Sequence, residues 1–330
     1  MDEKNTSSVR VILGTGGTIA GRAADPGDNV GYVAGEVGVG ELVRAVPPLR
    51  GANLESEQVA QVDSKDMSFD VWRRLADRVA HHLAREEVSG VVVTHGTDTL
   101  EETAWFLHSV LDPKKPVVLT CAMRPSTALV PDGPQNLLDA VCVAGGGGWG
   151  GVVVVTGGFV HRAEHVCKIH SYRVDAFDSG DAGPVACVEE GAVRWFHPMP
   201  SSVASDSLVG DRLALIKANA SLPGVAVVVS HADADGRVVR GLLSLNRAGQ
   251  SNLDLTCGIV VACTGNGTIH EGLAVALREA QEQGVRVVRA TRCARGRVVA
   301  HAGDVFEDSA GLSPAKARLS LSLSLLAGWH

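Results

Sequence analysis

Two short stretches hold most of the chain's chemical potential. Gly14-Thr15-Gly16-Gly17-Thr18 follows an apolar run at 9–13, and Thr94-His95-Gly96-Thr97-Asp98 follows Val91-Val92-Val93. Each sets a threonine hydroxyl among glycines directly after a strand-like run. A threonine hydroxyl is a poor nucleophile until a neighbour takes its proton, and a lysine or tyrosine of lowered pKa can do so. Tyr32, one of two tyrosines, and Lys168 are available for that task. Thr15, Thr97, Tyr32 and Lys168 thus form a set suited to catalysis by a hydroxyl nucleophile. Taken singly each is mundane: Asp98 beside a threonine can cap a helix, and Lys168 can sit on the surface.

The elements that must position these residues follow from periodicity. Three β-branched residues at 91–93 read as the end of a buried strand, and Leu100, Thr103, Ala104 and Leu107 follow at helical spacing. In α/β sheets a strand-to-helix handover is where ligands bind, because free N–H groups at the helix start face the crevice. A dinucleotide loop is the rival reading of 14–21. It needs an apolar helix at once, whereas 22–31 is polar and holds Pro26, which reads as a mobile loop ending at Tyr32. Further strands are expected at 59–62, 117–120, 152–156, 213–216, 225–229, 258–263 and 285–290. Helices are expected at 37–46, 69–85 with Ser68 as N-cap, 135–144 and 272–283, with a polar segment at 231–252. Residues 319–323 alternate like a strand, but Ser313-Pro314 before Ala315-Lys316 is a helix start, so a helix is expected there. The result is an α/β fold: a larger N-terminal domain (1–190) with a mostly parallel sheet, a Ser/Pro-rich linker (191–211), and a smaller α/β domain (212–330).

Composition narrows the function classes. With 330 residues, 45% of them hydrophobic and 20% charged, the chain can bury a sizeable core. A net charge of −7 without a dense basic cluster argues against nucleic acid as a partner. No run approaches a membrane span, and the apolar run at 9–13 is too short for a signal-peptide core. Seven scattered cysteines without Cys-x-x-Cys suit free thiols and a cytoplasmic location. His161, His165, Cys167 and His170 lack the glutamate of a zinc-helix motif, so no metal and no cofactor is expected.

Taken together, the blocks Thr15-Gly16-Gly17-Thr18-Ile19-Ala20, His95 to Ala104, Ala122 to Thr127 with Asp132-Gly133-Pro134, Gly265-Asn266-Gly267 and Ser313 to Arg318 closely resemble the bacterial asparaginase/glutaminase family of amidohydrolases. The resemblance spans nearly the whole chain. It implies hydrolysis of the side-chain amide of L-asparagine through an acyl-enzyme on Thr15. Tyr32 would close over the site and help to move the Thr15 proton. Thr97 with Lys168 and Asp98 would manage protons and assist the attack of water. Ser64 and Asp98 would bind the α-carboxylate and α-ammonium, with Lys65 beside them. Backbone N–H groups around Gly16 and Gly96 would stabilise the oxyanion, each worth roughly 3–4 kcal/mol. Asn266 would reach a neighbouring subunit's site, in a homotetramer.

Lys65 departs from the family pattern, where Gln, Glu or Ser is familiar. An ammonium aimed into the pocket would repel the substrate's own by a few kcal/mol. Pairing with Asp63 or Asp66 is the expected escape, leaving an enzyme with a weak grip on the α-amino group. Two alternatives stand beside this reading: a glutaminase-asparaginase of low discrimination, since one methylene is worth about 1–3 kcal/mol, and an amino-acid-binding member with weak chemistry.

Overall fold

Valine-rich runs buried on both faces build the principal sheet. Val91, Val92, Val93, Val117, Val118, Val153, Val154 and Val155 are all inaccessible to solvent, as strands covered on both sides by helices require. The structure, a computed structural model, describes residues 8–199, 209–247 and 255–328. The chain divides at Lys217/Ala218 into two units.

In the first unit, β1 (Val9–Gly16), β2 (Leu54–Val62), β3 (Val88–Thr94), β4 (Pro116–Thr120) and β5 (Gly151–Thr156) run parallel. β6 (Phe159–Arg162), β7 (Ala186–Glu189) and β8 (Ala192–Trp195) extend the sheet antiparallel, giving the order β8-β7-β6-β5-β4-β3-β1-β2. Its helices are α1 (Val39–Arg44), α2 (Phe69–Leu83), α3 (Leu100–Leu111), α4 (Gly133–Gly145) and α5 (Val209–Ala218). Ile12, Val92, Val118 and Val153 share a core with α1 and α4, whereas α2 and α3 pack together on the other face, Trp72 stacking on Phe106. The steps β3→β4 and β4→β5 go the same way across the sheet with connecting helices on opposite faces. Their hands are therefore opposite, and one of them is a left-handed crossover, which parallel sheets almost never adopt.

The second unit is a parallel sheet in the order β9 (Gly224–Val229), β10 (Thr256–Cys263), β11 (Arg286–Thr291), β12 (Glu307–Asp308). α6 (Arg237–Arg247) and α7 (Glu271–Glu282) cover one face around Ile259, Val261 and Val287. α8 (Pro314–Leu326) covers the other around Val260 and Val288. Ser313 caps α8 by accepting from Lys316 N–H, and Ser68 caps α2 by accepting from Val71 N–H.

The α/β class and the smaller second unit match the sequence reading; three local expectations do not. Residues 213–216 are helical, inside α5, because a four-residue apolar run of Leu, Ala and Ile fits a helix as well as a strand. The polar segment 231–252 contains α6, whose buried face is supplied by Val239 and Leu243. The stretch 191–211 opens with β8 and ends in α5, and its Ser-rich middle at 200–208 lies outside the described residues.

The two reactive turns meet because β1 and β3 are neighbours in register, Gly14 opposite Thr94. Gly17 has φ 79° and lies so close to Gly96 that a Cβ on it would stand 2.2 Å from the Gly96 Cα. Behind the second turn His95 is fully buried. Its Nδ1 donates to Gly96 O (2.7 Å), and its Nε2 accepts from the Thr103 hydroxyl (2.9 Å), which itself accepts from the Trp72 indole (2.8 Å). A carbonyl can only accept, so Nδ1 carries a proton, and burial, which pushes the pKa down to about 4, keeps the ring neutral with Nε2 as the acceptor.

A methyl group at position 17 must push two backbones apart. Gly17→Ala is expected to lower unfolding stability by roughly 2–3 kcal/mol in urea titrations. Gly147→Ala, in a turn with nothing within 4 Å of the new methyl, changes it by less than about 1 kcal/mol. Burial pushes His95 and His161 down from 6.5 to about 4. A histidine that binds its proton less tightly when folded contributes full stability above 6.5 and loses it as pH falls toward 4, on the order of 3 kcal/mol each. The check is denaturation as a function of pH: over that window His161→Gln takes up about one proton fewer on unfolding.

Candidate active site

The crevice opens at the carboxyl ends of β1, β2 and β3, where the chain leaves β1 toward β2 and leaves its neighbour β3 the opposite way toward β4, the position at which such sheets hold ligands. Thr15, at the end of β1, is buried, and its hydroxyl donates to Thr94 O at 2.9 Å. Gly16 has φ 105° and packs on the end of β2: a Cβ there would stand 2.5 Å from Val62 O. Gly17 N–H donates to that same carbonyl at 2.9 Å. From β2 the chain enters a single turn at Ser64–Asp66. Ser64 is buried and accepts from Asp98 N–H through its Oγ (3.1 Å) and from the Thr99 hydroxyl through its carbonyl (2.7 Å). Gly96 is needed here as well, since a Cβ on it would stand 2.5 Å from Ser64 Oγ. Three chain segments thus converge through glycine backbone.

Lys168 reaches this group from a two-residue strand, Cys167–Lys168, paired with Phe177–Asp178. Its Nζ donates to Thr97 Oγ1 at 2.8 Å and to Asp98 Oδ1 at 2.7 Å. The lysine side chain is 18% exposed and that of Asp98 53%, so the pair sits at the lip of the crevice with Thr97 behind it. The Lys168 backbone N–H donates to Glu101 Oε2 at 2.6 Å. Glu101 lies in the first turn of α3 and is nearly inaccessible. Sequence reasoning passed over Glu101, because an acid in a first turn ordinarily complements the helix dipole. Its partner, 67 residues further on, leaves no local signal.

Of the remaining sequence candidates, Tyr32 lies on the polar loop, in a short strand paired with Arg22–Ala23. Its hydroxyl is 2.6 Å from Thr18 Oγ1, so Thr18 is what holds the tyrosine. Lys65 turns to Asp63 (2.7 Å) and Asp66 (3.0 Å), two acceptors that raise its pKa, as its expected escape required. Thr99 spends its hydroxyl on Ser64 instead of capping α3. Asp132 accepts from Met123 and Arg124 N–H and so fixes the loop that precedes α4. Asn266 belongs to the second unit, where its amide exchanges bonds with Val299 N–H and C=O at 2.7 and 3.2 Å. Each of the three histidines weighed as metal ligands is otherwise engaged. His161 meets the Ser179 hydroxyl, His165 meets Glu164, and His170 accepts from Tyr172 and Arg173 N–H. Among the described residues no group of three or more His, Cys, Asp or Glu is placed to hold a metal ion, and no helix is long and apolar enough to cross a membrane.

This arrangement can deliver a buried hydroxyl and a second hydroxyl held by an ammonium and a carboxylate to one small polar molecule. Comparison with known proteins gives the family. Residues 10–201 match the family described as Asparaginase, N-terminal, and residues 224–330 match the Glutaminase/Asparaginase C-terminal domain. The chain is 37% identical over 322 residues to L-asparaginase 2 of Escherichia coli (strain K12), covering 95% of this chain and 88% of the relative. It is 35% identical over 324 residues to the glutaminase-asparaginase of Pseudomonas fluorescens biotype A, covering 96% and 85%. The crystal structure of a probable cytoplasmic L-asparaginase from Campylobacter jejuni aligns with TM-score 0.85 at 36% identity, covering 96% of this chain and 95% of that one. On these grounds the chain belongs to the asparaginase/glutaminase family of amide-hydrolysing enzymes.

Proposed function

We propose that the protein hydrolyses the side-chain amide of L-asparagine to L-aspartate and ammonia through an acyl-enzyme on Thr15. The observation that carries this reading is the Lys168 bridge between Thr97 and Asp98, on a turn in contact with that of Thr15. In the first step the Thr15 oxygen attacks the amide carbon, and its proton, at rest on Thr94 O, ends on the leaving nitrogen as ammonia departs. Backbone N–H groups in the two glycine turns oppose the charge that develops on the amide oxygen. In the second step water held at Thr97 attacks the ester carbon. Its proton returns to Thr15, with Lys168 and Asp98 setting the local charge, and aspartate leaves. Tyr32, held by Thr18, closes the crevice from above. Ser64 and Asp98 take the substrate's α-carboxylate and α-ammonium.

Relatives of both named kinds, L-asparaginase and glutaminase-asparaginase, stand at similar identity, so L-glutamine is the second substrate to assay. The protein is read as a homotetramer in which Asn266 lends its remaining amide hydrogen and lone pair to a neighbouring site. A cytoplasmic location is supported by seven cysteines that are all free thiols.

Thr15→Ala is expected to lower kcat for ammonia release from L-asparagine by roughly four to six orders of magnitude. Lys168→Met lowers it by about 10²- to 10⁴-fold with little change in KM. Equal turnover by wild type and Thr15→Ala would refute the acyl-enzyme. Lys65 offers the substrate no acceptor, its charge being spent on Asp63 and Asp66. Lys65→Gln is therefore expected to lower KM for L-asparagine by about 3- to 10-fold while leaving that for succinamate, which lacks the α-amino group, unchanged.

A further inference from the structure

A cavity of about 860 Å³ opens along the outer face of α4, in the first unit and away from the crevice. Gln135, Leu138, Asp139 and Cys142 recur at helical spacing along one wall, and Val193 and Trp195 of β8 face them. Arg10 of β1 lines it too, and sits five residues, roughly 16 Å of extended strand, before Thr15.

Three charged side chains line it, of which Glu190 is exposed to solvent, whereas Arg10 and Asp139 are at least partly buried and lack counterparts. The Arg10 guanidinium makes no hydrogen bond or ion pair among the described residues, and its Nε is buried without an acceptor. Such a group is costly to leave unmet. Asp139 is 5% exposed, and among the described residues its only hydrogen bond is from Gln135 Nε2 (2.8 Å) and no cation pairs with it. Burial pushes its carboxyl pKa up. A cation and an acid that line one cavity without meeting each other, beside an apolar wall, are complementary to a molecule that carries both opposite charges and an apolar body. We infer that this cavity is a second binding site, distinct from the crevice, for an α-amino acid with a large apolar side chain. Its carboxylate lies on Arg10, its ammonium on Asp139, and its side chain against Leu138, Val193 and Trp195. Asparagine and aspartate have no apolar body for that wall, so the site is not a copy of the proposed catalytic one.

The helix gives such a ligand a physical route to the crevice. At the N-terminal end of α4, next to Gln135, Asn136 donates to Cys121 O and accepts from Gly157 N–H, and Asp132 holds Met123 and Arg124. The same loop is tied by Ser126 to Gly21 O and by Thr127 to Ala23 N–H, at the root of the Tyr32 loop.

Titration calorimetry of the full chain tests the site with three probes: L-phenylalanine, 3-phenylpropionate without the ammonium, and 2-phenylethylamine without the carboxylate. L-Phenylalanine binds, and each truncated probe binds about 10- to 100-fold more weakly. Arg10→Gln erases the preference over 2-phenylethylamine, and Asp139→Asn erases that over 3-phenylpropionate. Leu138→Arg, on the partly exposed wall, abolishes binding and serves if a variant at Arg10 fails to fold. Absence of L-phenylalanine binding at millimolar concentration, or binding that survives unchanged in these variants, overturns the inference.

Discussion

The close approach of Gly17 to Gly96 is the contact on which the site depends. Two strand ends in one parallel sheet are about 4.8 Å apart, nearer than most side chains allow when both strands turn over the same crevice. Removing the Cβ at 16, 17 and 96 lets backbone lie on backbone. The threonines that flank these glycines then share one small space without having to be neighbours in sequence. The cost is conformational, because glycine loses more freedom on folding than any other residue. It is offset by the buried relay of Trp72, Thr103 and His95, which holds the Gly96 carbonyl and hence the direction of the peptide that follows.

Charge is distributed around that contact with few loose ends. Lys168 is pinned at both ends, its backbone by Glu101 and its ammonium by Thr97 and Asp98. A flexible four-carbon side chain held in this way has lost its rotamer freedom before substrate arrives, which is the preorganisation that hydroxyl chemistry needs. Lys65, one residue past Ser64, is treated in the opposite way. It is drawn outward by two carboxylates, so that its charge stays at the surface.

Much of this was legible in the sequence. Valine runs, glycine breaks and helix caps imply the parallel sheet, and the two glycine-flanked threonines point to the crevice. What escaped has a physical pattern. The run Leu213-Ala-Leu-Ile216 is too short for periodicity to separate helix from strand, and only packing decides. α6 hides in a polar segment because two buried residues, Val239 and Leu243, suffice to anchor it. Glu101, Thr18 and Thr99 escaped because local rules describe nearest neighbours. Their partners are Lys168, Tyr32 and Ser64, set by how distant segments meet.

The steps through α1, α2 and α3 share one hand, since α1 lies on the face of α4 but joins strands in the reverse direction, so the step through α4 is the left-handed one. Handedness is a property of covalent continuity: a chain cut between 121 and 132 would have no crossover there, yet every packed atom could stay in place. The contacts that seat this helix, Asn136 on Cys121 and Gly157 and Asp132 on the loop before it, must therefore suffice without help from strand twist. What the unusual topology changes is the path of the connecting chain, while the packed interior of the finished molecule is untouched by it.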